Sequence, residues 1–154
     1  MLCVGLSRKV DVGGVLAAGR PLVVEGTVDV PSFGSCSFEP ARVSLEVARV
    51  DRNLGLSGTI DVVATGACGR CLDDVRTELH VDVDEAFAAN PSPEGELGET
   101  NVLGGTLLDI ADLCRQLIDS ALPIVLLCSD HCPGLCPTCG NPRRDGACAC
   151  AAQA

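Results

Sequence analysis

Apolar and polar positions alternate along much of the first half of the chain. From Leu22 to Val30, Leu22, Val24, Val28 and Val30 fall on one side and Glu25, Thr27 and Asp29 on the other. A period of two predicts a half-buried strand, because successive strand side chains point to opposite faces. Pro31 to Ser35 interrupts it. Val43, Leu45 and Val47 against Arg42, Ser44 and Glu46 give a second strand, and Leu54, Leu56, Gly58, Ile60 and Val62 a third. Val75, Thr77, Leu79, Val81 and Val83 make a fourth, with His80 on its polar side. Residues 88–105 have no period and many Pro, Gly and acidic residues, which reads as an acidic loop. Beyond it the period changes to that of a helix. Leu107, Ile110, Leu113, Cys114, Leu117, Ile118 and Ala121 share one face, with Thr106 as N-cap and Asp109 at the third helical position. Pro123 stops that helix, and Ile124–Leu127 read as a short extended piece.

These elements predict an α+β fold: a mainly antiparallel β-sheet, one principal helix and a C-terminal cysteine-rich segment resembling a zinc knuckle. The expected division is a core over residues 1–127 and a metal-binding tail over 128–154. A chain of 154 residues accommodates one domain with a substantial core, or a core and a small metal-held appendage.

Composition adds two constraints. Net charge is −10, and residues 73–112 supply it by themselves, with eleven Asp or Glu against Arg76. Such acidity opposes tight binding to bare phosphate, and no Trp or Tyr is present to stack on unpaired bases. The start of the chain has no signal-peptide pattern, and no apolar run reaches the roughly 18 residues of a membrane span. The expected location is therefore cytoplasmic. Disulfides are rare there, and an odd total of eleven cysteines argues against complete pairing.

Metal binding is then the natural use of the cysteines. Zinc takes four thiolates in a tetrahedron, and two cysteines separated by two residues can turn both sulfurs onto one ion. The tail carries Cys136-x2-Cys139-Gly140 and, after an eight-residue gap from Cys139, Cys148-x-Cys150. Glycine after the second cysteine suits a chain that reverses tightly around an ion. Cys68-Gly69-Arg70-Cys71 lies between two predicted strands, at or near a hairpin tip, and pairs on this reading with Cys128 and Cys132. One site made of Cys128, Cys132, Cys136 and Cys139 is the rival arrangement. Two zinc ions are expected on the first reading. They would bring the formal charge to about −14.

Other features have plainer explanations. Cys3, Cys36 and Cys114 read as small hydrophobic residues, with Cys114 on the apolar helix face. His80 reads as solvated, and His131 is an alternative ligand in place of a thiolate. Arg70 is either a turn residue or a positive charge that tempers its thiolate neighbours.

The order Cys68-x-Arg70-Cys71-Leu72, an acidic loop, Leu108-Asp109-Ile110, Leu122-Pro123 and Cys128 continues into Cys132-x-Gly134-Leu135-Cys136-Pro137-x-Cys139-Gly140 and Cys148-x-Cys150. This series, covering about residues 20–150, resembles the YceD family, also called the large ribosomal RNA subunit accumulation protein family. The resemblance implies a small α+β protein, not known as an enzyme, that supports accumulation or processing of large-subunit (23S) ribosomal RNA. In that family the Cys-x-Arg-Cys pair is widespread and the terminal cysteine group belongs to some branches, which suits two separate sites. Asn141-Pro142-Arg143-Arg144-Asp145 departs from the family's usual Asn-Leu-Asn stretch.

The expectation is thus a ribosome-biogenesis factor with structural zinc on Cys68, Cys71, Cys128, Cys132, Cys136, Cys139, Cys148 and Cys150. Its partner would be the assembling large ribosomal subunit, through ribosomal protein or ribosomal RNA, with no membrane and no small-molecule substrate. Arg143 and Arg144 are the candidate RNA or partner contacts. Two alternatives use the same cysteines. A thiol oxidoreductase would use Cys68 and Cys71, although such chemistry favours a cysteine at a helix N-terminus. An iron–sulfur or rubredoxin-like electron carrier would use four thiolates, which the sequence cannot distinguish from zinc ligands.

Overall fold

The computed structural model describes residues 8–89, 101–143, 148 and 150. Along the chain come β1 (Lys9–Asp11), α1 (Gly13–Ala18), β2 (Leu22–Val28), β3 (Ser37–Phe38), β4 (Ala41–Val50) and β5 (Asn53–Ala67). They are followed by β6 (Asp74–Ala88), β7 (Asn101–Val102), β8 (Leu107–Asp109) and α2 (Ile110–Ala121).

The four alternating segments form the main sheet in the order β2-β4-β5-β6-β7, with the first three pairings antiparallel and the β6–β7 pairing parallel. Register places Val43 beside Ile60 and Ile60 beside Val81, so apolar residues of three strands line one face. That face carries the buried Val43, Leu45, Val47, Leu56, Ile60, Val81 and Val83. Ile110, Leu113, Cys114 and Ile118 of α2 are buried in the same core. Each fully buried Leu or Ile adds on the order of 2 kcal/mol, which is why the alternation fixes the register.

β5 and β6 are long, and they outrun their neighbours. β4 pairs with β5 only between Asn53 and Asp61, and beyond this the two-residue β3 covers Ala64 and Thr65. The hairpin therefore projects past the main core. At its far end lies a second, small cluster of buried Cys68, Cys71, Val75, Leu126 and Cys132, against which Cys36 and Leu127 pack.

Several boundaries differ from the sequence expectation. Among the described residues a short second helix accompanies the principal one, because Val12 and Val15 bury α1, which ends at Gly19 in the left-handed region. Leu107 and Leu108 do not form the first turn of the principal helix. They belong to β8, which pairs antiparallel with β1, and strand alternation buries Leu108 while leaving Leu107 exposed. The N-cap is Asp109 and not Thr106: its carboxylate accepts the backbone N–H of Asp112 at 3.0 Å. The acidic loop is framed by β6, which runs through Ala88, and by β7; its residues 90–100 lie outside the described residues. Ile124 and Val125 form a bend, and no strand includes Ile124–Leu127. No helix among the described residues is long and apolar enough to cross a membrane.

Candidate metal centres

The β5–β6 hairpin turn places Cys68 and Cys71. Cys68 N–H donates to the Asp73 carbonyl and Leu72 N–H to the Cys68 carbonyl, so the turn is closed by backbone bonds on both sides of the pair. After α2, the chain returns to this turn: Gly69 N–H donates to the Leu126 carbonyl at 2.8 Å. That bond delivers Cys128 and Cys132 to the hairpin. Arg70 secures the loop between them, donating from Nη1 to the carbonyls of Asp130 at 3.3 Å and Cys132 at 3.2 Å. Arg70 is thus a brace for the second cysteine pair.

The four Sγ atoms of Cys68, Cys71, Cys128 and Cys132 lie within 4.8 Å of one another. Two of their separations are 3.8 Å (Cys68 to Cys132) and 3.7 Å (Cys71 to Cys128). A tetrahedron with metal–sulfur bonds near 2.3 Å has edges of about 3.8 Å, so the set matches four-thiolate coordination. A disulfide needs sulfurs about 2.0 Å apart. Cys68, Cys71 and Cys132 are buried, while Cys128 is exposed.

Cys136, Cys139, Cys148 and Cys150 form the second set, again with all four sulfurs within 4.8 Å. Its first half is a tight reversal. Cys136 N–H donates to Asn141 carbonyl and Gly140 N–H to Cys136 carbonyl, both at 2.8 Å. Gly140 has φ 71°, in the left-handed region that glycine occupies without steric cost. Gly134, between the two sets, has φ 76° and lies against the Arg70 carbonyl, where a β-carbon would approach to 3.2 Å. Cys128 and Cys132 therefore stand with the hairpin pair, not with Cys136 and Cys139. His131 belongs to neither set.

Electrostatics within each set favours one thiolate. Cys68 is lowered to about 6, first by the Cys71 N–H and then by those of Arg70 and Cys128. The Asp73 N–H pulls Cys71 the same way, but burial and the neighbouring sulfurs outweigh it and push Cys71 up to about 12. In the second set the Cys139 N–H, the Cys148 thiol and the Thr138 N–H lower Cys136 to about 6. Cys139 and burial push Cys150 up to about 12. Four negative sulfurs this close repel one another, and a divalent cation at their centre removes that penalty. Cys114, by contrast, is raised to about 12 by burial in the main core and behaves as a hydrophobic side chain.

A groove of about 620 Å³ adjoins the first set, lined by Cys71, Asp73, Asp74, Cys128, Cys132 and Arg143 among others. Arg143 is half-buried. Its backbone N–H donates to the Gly134 carbonyl at 2.9 Å, while its side-chain Nε is buried without a hydrogen-bond partner among the described residues. Arg144 lies outside the described residues, as does Cys3. Sequence reasoning missed the bracing role of Arg70 and the groove acids Asp73 and Asp74. The adjacency of Asp73 to Cys71 was the available signal for the acids.

Comparison with known proteins places these residues in a lineage. An uncharacterized Mycobacterium bovis protein is 33% identical over 81% of this chain and 74% of its own length. An uncharacterized Mycobacterium leprae protein is 30% identical over 73% of this chain and 57% of its own. A maize protein named large ribosomal RNA subunit accumulation protein YCED homolog 1, chloroplastic, is 26% identical over 81% of this chain and 53% of its own. No solved structure matches significantly. The family model described as large ribosomal RNA subunit accumulation protein YceD matches residues 56–154, a span that holds all eight clustered cysteines, and the chain belongs to that family.

Proposed function

We propose that this protein is a non-enzymatic ribosome-biogenesis factor that supports accumulation of large-subunit ribosomal RNA, with two structural zinc ions shaping its partner surface. The family assignment supports the ribosome-related role. The observation that carries the scaffold reading is the first cysteine set, which joins a hairpin turn of the sheet to the segment after α2. Cys68, Cys71, Cys128 and Cys132 would hold one ion, and Cys136, Cys139, Cys148 and Cys150 the other. Zinc bound by four thiolates has a closed coordination shell and supplies folding energy, with no open position for substrate.

On this reading the chain divides into a core over residues 1–127 and a metal-held tail over 128–154, and Cys68 and Cys71 are the core's contribution to joining them. The buried position of Cys68 favours structure over thiol exchange, which needs an accessible thiolate. Arg143 and Arg144 are the proposed contacts toward the assembling large subunit. The expected setting is cytoplasmic.

Depletion of the protein, followed by gradient separation of ribosomal particles and quantification of ribosomal RNA, tests the function. The expected result is a fall in large-subunit RNA relative to small-subunit RNA, restored by the wild-type chain and not by Cys71→Ser. Normal subunit ratios would refute the role. Elemental analysis of the reduced protein tests the metal: two zinc ions per chain are expected, and stoichiometric iron would favour an electron carrier.

A further inference from the structure

Among the described residues six large apolar side chains are exposed: Val23, Val50 and Leu107 stand apart from the cysteines, and the other three gather at one end of the hairpin. Leu72 is 65% exposed, Ile124 fully exposed and Val125 52% exposed, and all three flank the first cysteine set. Leu72 lies in the hairpin turn. Val125 lies so close over Gly69 of the same turn that a β-carbon there would collide with its Cγ1. Leu72 also has φ 64°, a conformation that costs a leucine energy and that glycine or asparagine would adopt more readily. A branched apolar residue, held in an unfavourable backbone state and turned to solvent, marks a surface selected for contact.

What meets this surface is constrained by charge. The groove beside Leu72 is walled by Asp73 and Asp74 and lies against the first thiolate set, in a chain of net charge −10. A phosphate backbone would be repelled there. A cationic side chain would be attracted to the two carboxylates that wall the groove. Apolar knobs beside an acidic wall suit a polypeptide with basic and apolar side chains.

We propose that the end of the protein formed by Leu72, Ile124 and Val125, with the Asp73–Asp74 groove, docks a basic protein segment. The inference deepens the proposed function by naming the surface and the class of partner, and it rests on that function only for the expectation that the partner is ribosomal. The metal at the first set would then fix the surface geometry, since it locks the turn bearing Leu72 to the segment bearing Ile124 and Val125.

A photocrosslinking amino acid placed at position 124 of the full chain in cells, with position 23 at the other edge of the sheet as control, tests it. The expected adduct is one strongly basic protein, absent from the position-23 control. Binding of that purified protein should then weaken at least roughly tenfold for Leu72→Asn, which keeps the left-handed turn, and for Asp74→Lys. Metal content of both variants should stay at the wild-type value, which separates loss of contact from loss of fold. Adducts to RNA, adducts to a second copy of this chain, no adduct above the control, or affinity unchanged by both substitutions would each overturn the proposal. A basic partner from outside the ribosome would keep this surface and refute the ribosomal reading. Ribosome association insensitive to Leu72→Asn and Asp74→Lys would do the reverse.

Discussion

Unfolding the sheet should release metal from one cysteine set and leave the other loaded. In the first set Cys71 and Cys128 are 57 residues apart, and only the folded sheet and α2 bring them together. In the unfolded chain a metal would have to close that loop itself. The entropy of closing a loop of this length is about 14 cal/mol/K, or about 4 kcal/mol at room temperature. Affinity at the first set should therefore fall roughly a thousandfold on unfolding. Linkage requires the same amount in reverse: saturating metal at this set stabilises the fold by about 4 kcal/mol. The second set spans only Cys136 to Cys150, and its tight reversal is held by its own backbone bonds, so its affinity should be nearly independent of the sheet.

The assay is urea titration of zinc-loaded protein in a non-thiol reductant, with a chromophoric chelator reporting free metal. Far-ultraviolet circular dichroism follows the sheet, since the chain has no Trp or Tyr to serve as a fluorophore. One equivalent of zinc should appear at the midpoint of the sheet transition and the second should remain bound beyond it. Cys71→Ser should lower the melting temperature by roughly 8 to 16 °C, whereas Cys150→Ser should leave the core transition in place. Release of both ions together, or of neither, would refute the reasoning. Equal losses from Cys71→Ser and Cys150→Ser would refute it independently.

Three further outcomes follow from the core and its surface. Ile118 is wholly buried between α2 and the sheet, so Ile118→Ala should cost roughly 2–5 kcal/mol in urea denaturation followed by circular dichroism, and a loss below 1 kcal/mol would place the helix wrongly. Asp109→Ala should remove the cap of α2 and cost about 1 kcal/mol in the same assay, while Asp109→Asn should retain most of it. His80 sits 2.5 Å from Asp61, whose hydrogen bond and charge raise it above its ordinary value of 6.5. The favoured form is the protonated one, so its stabilisation is complete below pH 6.5 and fades as pH rises through the raised folded value. Proton NMR should show His80 titrating above 6.5 and moving back toward it in Asp61→Asn; an unshifted midpoint in the wild type would refute the pairing.

The main strands were legible because each buries one face. Val43, Leu45 and Val47, or Leu54 and Leu56, cannot slip by one residue without turning the whole set to water. Short elements were not legible for the complementary reason. β1 and β8 contribute three residues each, too few to establish a period, and they exist because each supplies the other's hydrogen bonds. Leu107 was indistinguishable from a helical position until β1 was there to pair with it. α1 depends on the burial of Val15 and on Gly19 as its cap, neither of which makes a pattern in six residues. The cysteine spacing identified the candidate ligands and offered the grouping of Cys128 and Cys132 with Cys68 and Cys71 beside one rival; what spacing does not encode is the bond from Gly69 to Leu126 that brings the two pairs together.

The location of the first set explains why a metal would be useful here at all. Hydrophobic burial holds the sheet where three strands lie beside one another and α2 covers them. Past Asp61, β5 leaves β4 and is left with β6 and the short β3. A projecting pair of strands is marginal in water, and the buried carbon there is little more than Val75 and Leu126. Four thiolates around an ion would replace the missing core with a few strong directional bonds, as small domains do when apolar area runs short. The consequence is directional: metal loss should loosen the far end of the hairpin and the segment after α2 before it loosens the sheet. Hydrogen exchange on the metal-depleted protein should therefore accelerate most at Val75, Gly69 and Cys132, and less at Ile60 and Val81, whose protection falls only by what the metal adds to global stability. Uniform acceleration would show that the ion supports the whole core rather than completing one end of it.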